Sequence, residues 1–143
     1  MKTLKQFLEG KTRPLVSVAP ADTVLRCLEV MAQQDVGALL VLDGERLAGV
    51  FSERDYARRV VLKGKASGTT PVSDVMTRMV HHVTPENSID ECMAIMTEKH
   101  VRHLPVLDRE RKVIGIVSIG DVVKETIEQQ KFIINQLESY IAN

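Results

Sequence analysis

The chain repeats itself, and the repeat constrains its architecture more than any other feature of the sequence. Residues 49–55 follow the order Gly-apolar-apolar-Ser-x-x-Asp, and residues 115–121 follow the same order. Upstream, eleven residues between Thr12 and Asp43 recur 65 positions later, and one extra residue in the 108–115 loop moves the second motif to an offset of 66. Two copies favour a pair of packed halves with pseudo-twofold symmetry over a solenoid. Two equivalent sites or one shared cleft are therefore expected.

The composition is typical of one compact domain without a strong charge bias. The 143 residues are 44% hydrophobic, which suffices for a core shared by two halves. Lys plus Arg and Asp plus Glu number 19 each, and aromatic residues make up 3%. Balanced charge offers no general attraction to nucleic acid or to an anionic membrane, and few rings are present to stack on bases. Neither nucleic acid nor a membrane is an expected partner.

Two further features predict a cytoplasmic protein. The N-terminal residues have apolar side chains at helical spacing interrupted by charges, unlike a signal peptide, and no stretch reaches the length of a membrane span. Cys27 and Cys92 stand at equivalent positions of the repeats, each four residues before a methionine. Matched positions on helices indicate buried core residues, so we expect free thiols in a reducing compartment rather than a disulfide.

Each repeat is predicted to form a β-α-β-β-α unit, which gives an α/β (α+β) fold. Pro20 and Pro85 end short strands and precede amphipathic helices, with Asp22 in the first repeat and Asn87 or Ser88 in the second as candidate caps. Two strands joined by a hairpin turn follow, and the second of them leads into the last helix. The predicted strands are residues 16–18, 36–42 and 47–51 in the first repeat and 82–83, 101–107 and 113–117 in the second.

A Gly/Ser/Thr-rich stretch at residues 63–71 puts the boundary between the repeats near residue 70. Residues 1–70 then comprise the first motif with an N-terminal helix and the linker, and residues 71–143 comprise the second motif with an extended C-terminal helix. That last helix has apolar residues at roughly heptad spacing, at positions 127, 134, 137 and 141. It either covers an edge of its own core or contacts a second subunit.

The repeated Ser-x-x-Asp turn has two interpretations. A serine between a strand and a helix lies beside unpaired backbone N–H groups, where the helix dipole favours an anion such as phosphate. Asp55 and Asp121, in the first helical turn, accept hydrogen bonds only, which suits the adjacent hydroxyls of a ribose. The same residues also form a capping box, and a duplicated fold duplicates its caps. Gly49 and Gly115, inside predicted strands, permit close approach of another backbone.

Several segments of the second repeat resemble a CBS motif, named for cystathionine beta-synthase. They are Thr77-Arg78, Val83-Thr84-Pro85, Arg102-His103-Leu104-Pro105-Val106 and the turn at residues 115–121, and residues 12–62 resemble a second copy. Tandem motifs of this kind occur in IMP dehydrogenase and in the gamma subunit of AMP-activated protein kinase. The resemblance covers nearly the whole chain. It implies a pseudo-symmetric module whose clefts bind AMP, ADP, ATP, NAD or S-adenosylmethionine.

The resemblance also implies roles for individual residues. Asp55 and Asp121 would bind ribose, and Arg102 and His103 would contact phosphate, although the order of these two basic residues is reversed relative to the kinase subunit. The first repeat has Gly37-Ala38 there, so its site would hold phosphate less well or take charge from the other half. The candidate nucleotide-binding residues are Val16, Gly37, Ala38, Ser52, Arg54, Asp55, Thr77, Val80, Arg102, His103, Leu104, Pro105, Ser118 and Asp121.

Without a catalytic domain in the sequence, the chain resembles the stand-alone bacterial members of the family, which usually form disc-shaped homodimers. The expected function is regulatory rather than enzymatic: the module senses an adenine nucleotide and acts in trans on an unidentified protein. A ligand-independent interaction scaffold is the main alternative.

A metal site is a weaker alternative. Four histidines, His81, His82, His100 and His103, lie in the second repeat, but none forms the i, i+4 helical pair of zinc hydrolases. His81 and His82 would point to opposite faces of a strand. No metal ligand is therefore assigned. Neither cysteine has an adjacent base, and the repeated serine lacks the flanking glycines of a nucleophile elbow.

A basic cluster follows the first Ser-x-x-Asp turn. It consists of Arg54, Arg58, Arg59, Lys63 and Lys65. Because Glu53 and Asp55 lie among these charges, a solvated helix face explains the cluster better than nucleic-acid binding. Arg54 is also a candidate source of the phosphate-binding charge that Gly37-Ala38 lacks.

Overall fold

The computed structural model describes residues 2–10, 15–78 and 80–142, and it shows two halves of the same design. The expected fold of mixed helices and small sheets is confirmed. The first half contains α1 (Leu4–Glu9), β1 (Ser17–Val18), α2 (Val24–Gln34), β2 (Ala38–Asp43), β3 (Arg46–Ser52) and α3 (Glu53–Asp55), which continues as a π-helix over Tyr56–Val61. The second half contains a 3-10 helix (Val72–Asp74), α4 (Ile89–Lys99), β4 (His103–Leu107), β5 (Val113–Ser118) and α5 (Ile119–Ala142).

The strands form two sheets that differ by one strand. In the first sheet β1 pairs in parallel with β2, and β2 pairs antiparallel with β3; in the second, β4 pairs antiparallel with β5. The strand predicted at residues 82–83 is wrong, because Val83 forms only an isolated parallel bridge with Val106. Pro105 stands at the repeat position of Leu40, the β2 residue paired with Ser17, and has no N–H to donate to a neighbouring strand.

Side-chain hydrogen bonds fix the starts of α2 and α4. Thr23, not the predicted Asp22, caps α2, since its Oγ1 accepts a hydrogen bond from the Arg26 N–H at 3.1 Å. Asp22 closes the preceding turn instead, accepting from the Ala19 N–H at 2.8 Å. Ser88, one of the two predicted candidates, caps α4. The first cap was misplaced by one residue because Asp and Thr are both good caps.

Alternation along the strands divides the buried residues into three clusters. Leu39 of β2 packs in the first core beneath α2, while its neighbour Leu40 faces the other sheet. Leu104 of β4 packs in the second core beneath α4. The third cluster lies between the two sheets and joins the halves. It consists of Ala38, Leu40, Val50, Leu107 and Val113.

The two cysteines lie at equivalent places in the two cores, as predicted. Cys27 belongs to the first core and Cys92 to the second, and both are free thiols. Burial raises the pKa of each thiol to about 11. Neither thiol is therefore a reactive nucleophile at neutral pH.

Each half completes its core with a segment from the far side of the linker. Leu4 of α1 is buried in the second core, whereas Val72, which follows the linker, is buried in the first. The backbone shows the same exchange, because the Leu4 N–H donates to the Asn87 carbonyl and the Val72 N–H donates to the Asp22 carbonyl, each at 2.9 Å or less. A chain boundary near residue 70 stays a prediction, and in space the two halves interlock across it.

Gly49 and Gly115 allow the exchanged segments to approach closely. A Cβ atom on Gly49 would lie 2.6 Å from the Thr77 carbonyl oxygen, and one on Gly115 would lie 2.8 Å from Leu8 Cδ2. Val50, next to Gly49, exchanges two backbone hydrogen bonds with Thr77. The absence of a side chain at Gly49 therefore lets the segment after the linker pair with β3.

α5 extends past the core that it helps to form. Among its described residues only Val122 is buried. Its apolar heptad positions are exposed, from 46% at Ile127 to 80% at Ile141. The second half of this helix therefore does not cover an edge of its own core.

In the described parts of the chain, no helix combines the length and the apolar character needed to cross a bilayer.

Candidate functional site

The first Ser-x-x-Asp turn is a capping box whose carboxylate is held on both oxygens. Ser52 Oγ accepts from the Asp55 N–H at 3.2 Å, and Asp55 Oδ2 accepts from the Ser52 N–H at 3.0 Å and from Ser52 Oγ at 3.1 Å. Asp55 Oδ1 accepts from Thr77 Oγ1 at 3.1 Å and lies 3.8 Å from Arg59 Nε. The Asp55 side chain is 13% exposed. The capping interpretation is thus confirmed, and the turn is held rigidly against the segment after the linker.

A cavity of about 770 Å³ opens beside this turn, and we call it the Asp55 cleft. One wall is α3 with its π-helical continuation, and the opposite wall is the chain between α4 and β4. Arg54 spans the cleft, since its Nη1 donates to the His100 carbonyl oxygen at 3.4 Å. Gly37 lines the same cavity, and its carbonyl oxygen accepts from the Glu53 N–H. The cleft therefore lies between the two repeats rather than within one.

Four arginines face the cleft from both walls. Arg59 is committed to the protein, because its Nη1 donates to the Met76 carbonyl oxygen at 2.8 Å in addition to its contact with Asp55. Arg58 on one wall and Arg102 on the other form no ion pair or side-chain hydrogen bond with any described residue. Guanidinium groups bind phosphate oxygens in bidentate geometry. The two arginines leave the cleft with uncompensated positive charge on opposite sides.

His103 lies at the inner end of the Asp55 cleft, close to the second Ser-x-x-Asp turn. Burial lowers the pKa of His103, Asp121 and Glu53 act to raise it, and Arg102 adds to the lowering. The imidazole therefore stands between one carboxylate of each repeat. A neutral ring at this place can become charged when an anion enters.

The second turn repeats the cap but keeps one of the three cationic positions, since Lys124 stands where the first turn has Arg58. Ser118 N–H donates to Asp121 Oδ2 at 2.9 Å, and the Asp121 N–H donates to Ser118 Oγ at 3.1 Å. Gly120 and Glu125 stand where the first turn has Arg54 and Arg59. Glu125 forms an ion pair with Lys2 at 3.2 Å. Fewer cationic side chains are thus available on the second turn.

The structure brings eight of the fourteen candidate residues to the Asp55 cleft. These are Gly37, Ser52, Arg54, Asp55, Thr77, Val80, Arg102 and His103. Ser118 and Asp121 lie on the second turn, and Val16 packs against the first core. Three candidates do not line the cleft, namely Ala38, Leu104 and Pro105. They lie in β2 and β4, just after the residues that line the cleft, and they are buried in the interior. That any of these residues binds a nucleotide stays a prediction.

Several residues line the Asp55 cleft although the sequence predicts another role for them. Arg58 and Arg59 are predicted to form a solvated helix face, but each follows Arg54 or Asp55 by four residues, a spacing that puts them on the same side of a helix. His81 lines the Asp55 cleft and His82 lines a different cavity, which agrees with the expected opposite orientations. Within the described ranges, no three His, Cys, Asp or Glu side chains are grouped to hold a metal ion.

Comparison with protein families explains why the chain has two such turns. The family model described as CBS domain matches residues 7–62 and again residues 72–128. The chain belongs to the CBS domain family. Each match contains one Ser-x-x-Asp turn, so the Asp55 cleft lies between two CBS motifs.

Solved and curated CBS-domain proteins resemble this chain over most of its length. A CBS-domain protein from Burkholderia ambifaria MC40-6 is 48% identical, with 90% of this chain and 96% of that one covered and a TM-score of 0.85. The mitochondrial CBS domain-containing protein CBSX3 of Arabidopsis thaliana is 38% identical over 125 residues, which are 84% of this chain and 60% of the relative's length. The chain thus spans less than two thirds of that relative.

A third CBS-domain structure contains a ligand. CBSX2, solved in complex with AMP, is 26% identical to this chain, with 91% of this chain and 99% of that one covered and a TM-score of 0.73. A module of the same fold therefore binds an adenine nucleotide.

Proposed function

We propose that this CBS module binds an adenine nucleotide in the Asp55 cleft and regulates a protein partner in trans. The observation that carries the proposal is the pair Arg58 and Arg102, which approach the cleft from opposite walls without partners among the described residues. A nucleotide phosphate placed between them would satisfy both guanidinium groups and draw the two repeats together. The AMP bound by CBSX2 supports the ligand class.

Asp55 would contact the ribose without giving up its role as a cap. Its Oδ2 is engaged by Ser52, whereas Oδ1 receives the Thr77 hydroxyl, which is free to rotate. A ribose hydroxyl can therefore take the place of the Thr77 hydroxyl at Oδ1. The backbone near Val80 would contact the adenine edge, and AMP, ADP, ATP and NAD all carry the adenosine phosphate that this site would recognise.

Regulation requires that the nucleotide bind two conformations unequally. A difference in affinity between two arrangements of the repeats corresponds to about 1–3 kcal/mol of coupling in typical allosteric proteins. The contact of Arg54 with the His100 carbonyl crosses the cleft and would change when phosphate enters. The regulated partner would read the resulting change in repeat packing, and this role needs no catalysis by the module.

Calorimetric titration with AMP and with adenosine tests the proposal. AMP should bind the unaltered chain, and Arg58→Gln and Arg102→Gln should each weaken AMP binding about tenfold or more, since each removes a charged hydrogen bond. Adenosine, which lacks phosphate, should bind these variants as it binds the unaltered chain. ADP, ATP, NAD and S-adenosylmethionine complete the ligand series.

Arg109→Gln is the matched control, because Arg109 lies near Glu86 and does not line the cleft. Absence of AMP binding, or equal weakening by Arg109→Gln, would contradict the proposal.

The exposed face of α5 favours a second role as an interaction scaffold. Ile134 and Leu137 are 52% and 56% exposed on a helix that leaves its own core. We propose that this face joins two copies of the module as a homodimer. If no nucleotide binds, the same surface makes a ligand-independent scaffold the better description.

A further inference from the structure

A second cavity lies at the opposite end of the strands from the Asp55 cleft. It has a volume of about 800 Å³ and is lined by the tips of the β2–β3 and β4–β5 hairpins, and we call it the hairpin cavity. Arg78, Val80 and His82 form a third side, and Val80 also lines the Asp55 cleft. Three separate segments of the chain thus converge on one cavity that the proposed nucleotide site does not use.

Basic side chains reach the hairpin cavity from all three segments. Arg46 comes from the first hairpin, Arg78 from the segment after the linker, and Arg111 and Lys112 from the second hairpin. Leu107 adds apolar surface. Cations that approach from several directions surround a compact anion better than they bind an extended chain.

Three carboxylates also line the hairpin cavity, those of Glu45, Asp108 and Glu110, and within the described residues none of them forms an ion pair with a guanidinium group of the cavity. Glu45 pairs with Lys112 at 3.2 Å, and Asp108 Oδ1 accepts the backbone N–H groups of Glu110 and Lys112. Arg78 donates to the Ser73 carbonyl oxygen, which carries no formal charge. Among the described residues, the guanidinium groups of Arg46 and Arg111 form no ion pair or hydrogen bond. In the described part of the chain, three guanidinium groups therefore share the cavity without an ion-paired carboxylate, and the four cations of the lining exceed its three carboxylates by one.

Arg111 has a backbone conformation that is unfavourable for residues other than glycine. Its φ is +63°, in the left-handed region, whereas the left-handed residue of the first hairpin is a glycine, Gly44, with a φ of +65° at the first position of its loop. The second hairpin has three loop residues between Asp108 and Lys112, and glycine is the usual residue at the left-handed position of such loops. The extra residue in the second repeat therefore places an arginine over the cavity where glycine is preferred.

We propose that the hairpin cavity binds a small polyanion with adjacent phosphates, such as pyrophosphate or the polyphosphate of a nucleotide. The oxygens of two adjacent phosphates would accept hydrogen bonds from Arg46, Arg78 and Arg111 together. This site is independent of the Asp55 cleft and would give the module a second input.

The experiment measures calorimetric binding of inorganic pyrophosphate in a chain whose Asp55 cleft is disabled by Arg58→Gln and Arg102→Gln. Adding Arg111→Gly to this chain should weaken pyrophosphate binding about tenfold or more, as expected for a lost charged hydrogen bond. The melting temperature of the Arg111→Gly chain should stay equal or rise, because glycine tolerates the left-handed conformation. A loss of binding then does not reflect unfolding.

Arg109→Gly is the matched control, since Arg109 lies in the same loop but does not line the hairpin cavity. Its effect on pyrophosphate binding should stay within about twofold, and AMP should bind the single variant Arg111→Gly as it binds the unaltered chain. The proposal is wrong if pyrophosphate does not bind the cleft-disabled chain, or if Arg109→Gly weakens binding as much as Arg111→Gly does. Binding of polyglutamate without pyrophosphate would instead indicate an acidic protein partner.

Discussion

Two equivalent glycines show how the same residue type meets different neighbours in the two repeats. The Cβ position of Gly49 is blocked by a backbone carbonyl, that of Thr77, and by the Met76 side chain. The Cβ position of Gly115 is blocked by the end of the Leu8 side chain, which can rotate away. Symmetry in the sequence therefore does not imply equal tolerance to substitution.

Gly49→Ala should destabilise the protein by about 1–3 kcal/mol, because the added methyl group must displace backbone that pairs with β3. Gly115→Ala, the matched control, should cost less than about 1 kcal/mol, since a leucine rotamer can adjust. Urea unfolding of both variants measures the difference. Equal losses would show that the segment after the linker is not held tightly against Gly49.

His103 should make stability depend on pH. Because burial lowers its pKa in the folded chain, the unfolded chain binds the proton more readily below about pH 6.5. Stability should therefore fall as the pH decreases from 7.5 through 6.5 towards the lowered pKa of the folded chain. His103→Gln should make that decrease shallower.

Urea midpoints at pH 7.5 and pH 5.5 check the expectation, with His82→Gln as the control at an exposed histidine.

The affinity for AMP should also increase as the pH falls, because a bound phosphate would favour the charged form of the His103 ring, beside Asp121, Glu53 and Arg102. An identical pH dependence in His103→Gln would contradict this assignment.

At the scale of elements, α1 acts as part of the second half although it begins the first. Leu4 is fully buried beside Val83, Ile89 and Leu104 in the second core. A six-residue helix is too short to be stable alone, so packing must hold it in place. Its contribution to stability therefore depends on residues about 80 positions away in the chain.

Leu4→Ala should lower the free energy of unfolding by about 2–5 kcal/mol, the cost of a large cavity in a core. Leu25→Ala is the matched control, since Leu25 also lies on a helix but is 48% exposed. Chemical unfolding measures both changes. A small effect of Leu4→Ala would mean that α1 leaves the second core in solution.

Most elements were predictable from local pattern, and the exceptions have physical causes. The hairpins and the helices that follow them were predicted because apolar alternation and turn residues are local signals. The strand at residues 82–83 was not formed because Pro105 lacks a donor, which is a property of its neighbour. The packing of α1 and the π-helical turns after Asp55 depend on tertiary contacts that no local pattern reports.

The candidate site was predictable in part for the same reason. The repeat and the Ser-x-x-Asp motif located Ser52 and Asp55 at a cleft, and the capping box was foreseen. The convergence of Arg58 with Arg102 was not, because it joins residues from different halves. Distances between repeats depend on how the sheets pack, which the sequence of one repeat does not reveal.

For the molecule as a whole, α5 has an apolar face that a single copy of the chain leaves exposed. Its apolar positions recur at heptad spacing, yet they remain exposed over most of the helix. A continuous apolar face of this kind is usually covered by another protein surface. The proposed homodimer would cover it with the same helix of a second copy.

Leu137→Glu should convert the dimer into a monomer, because it places a charge in the centre of the proposed contact. Gln136→Glu adds the same charge one residue away and should leave the dimer intact. Light scattering coupled to gel filtration gives the mass of each variant. A monomeric unaltered chain, or equal dissociation by both changes, would rule out this interface.

The interlocked halves also bear on how such a chain arose by duplication. Each repeat lends its leading segment to the body of the other, as the pairs Leu4 with Asn87 and Val72 with Asp22 show. A single ancestral repeat would have lacked part of its own core. A second copy would have supplied that segment, and the two copies would have exchanged the same segment symmetrically. Gene fusion would then have joined two chains that already depended on each other. Later substitutions, such as those that left Arg59 in one repeat and Glu125 at the equivalent position of the other, would have made the two inherited sites different.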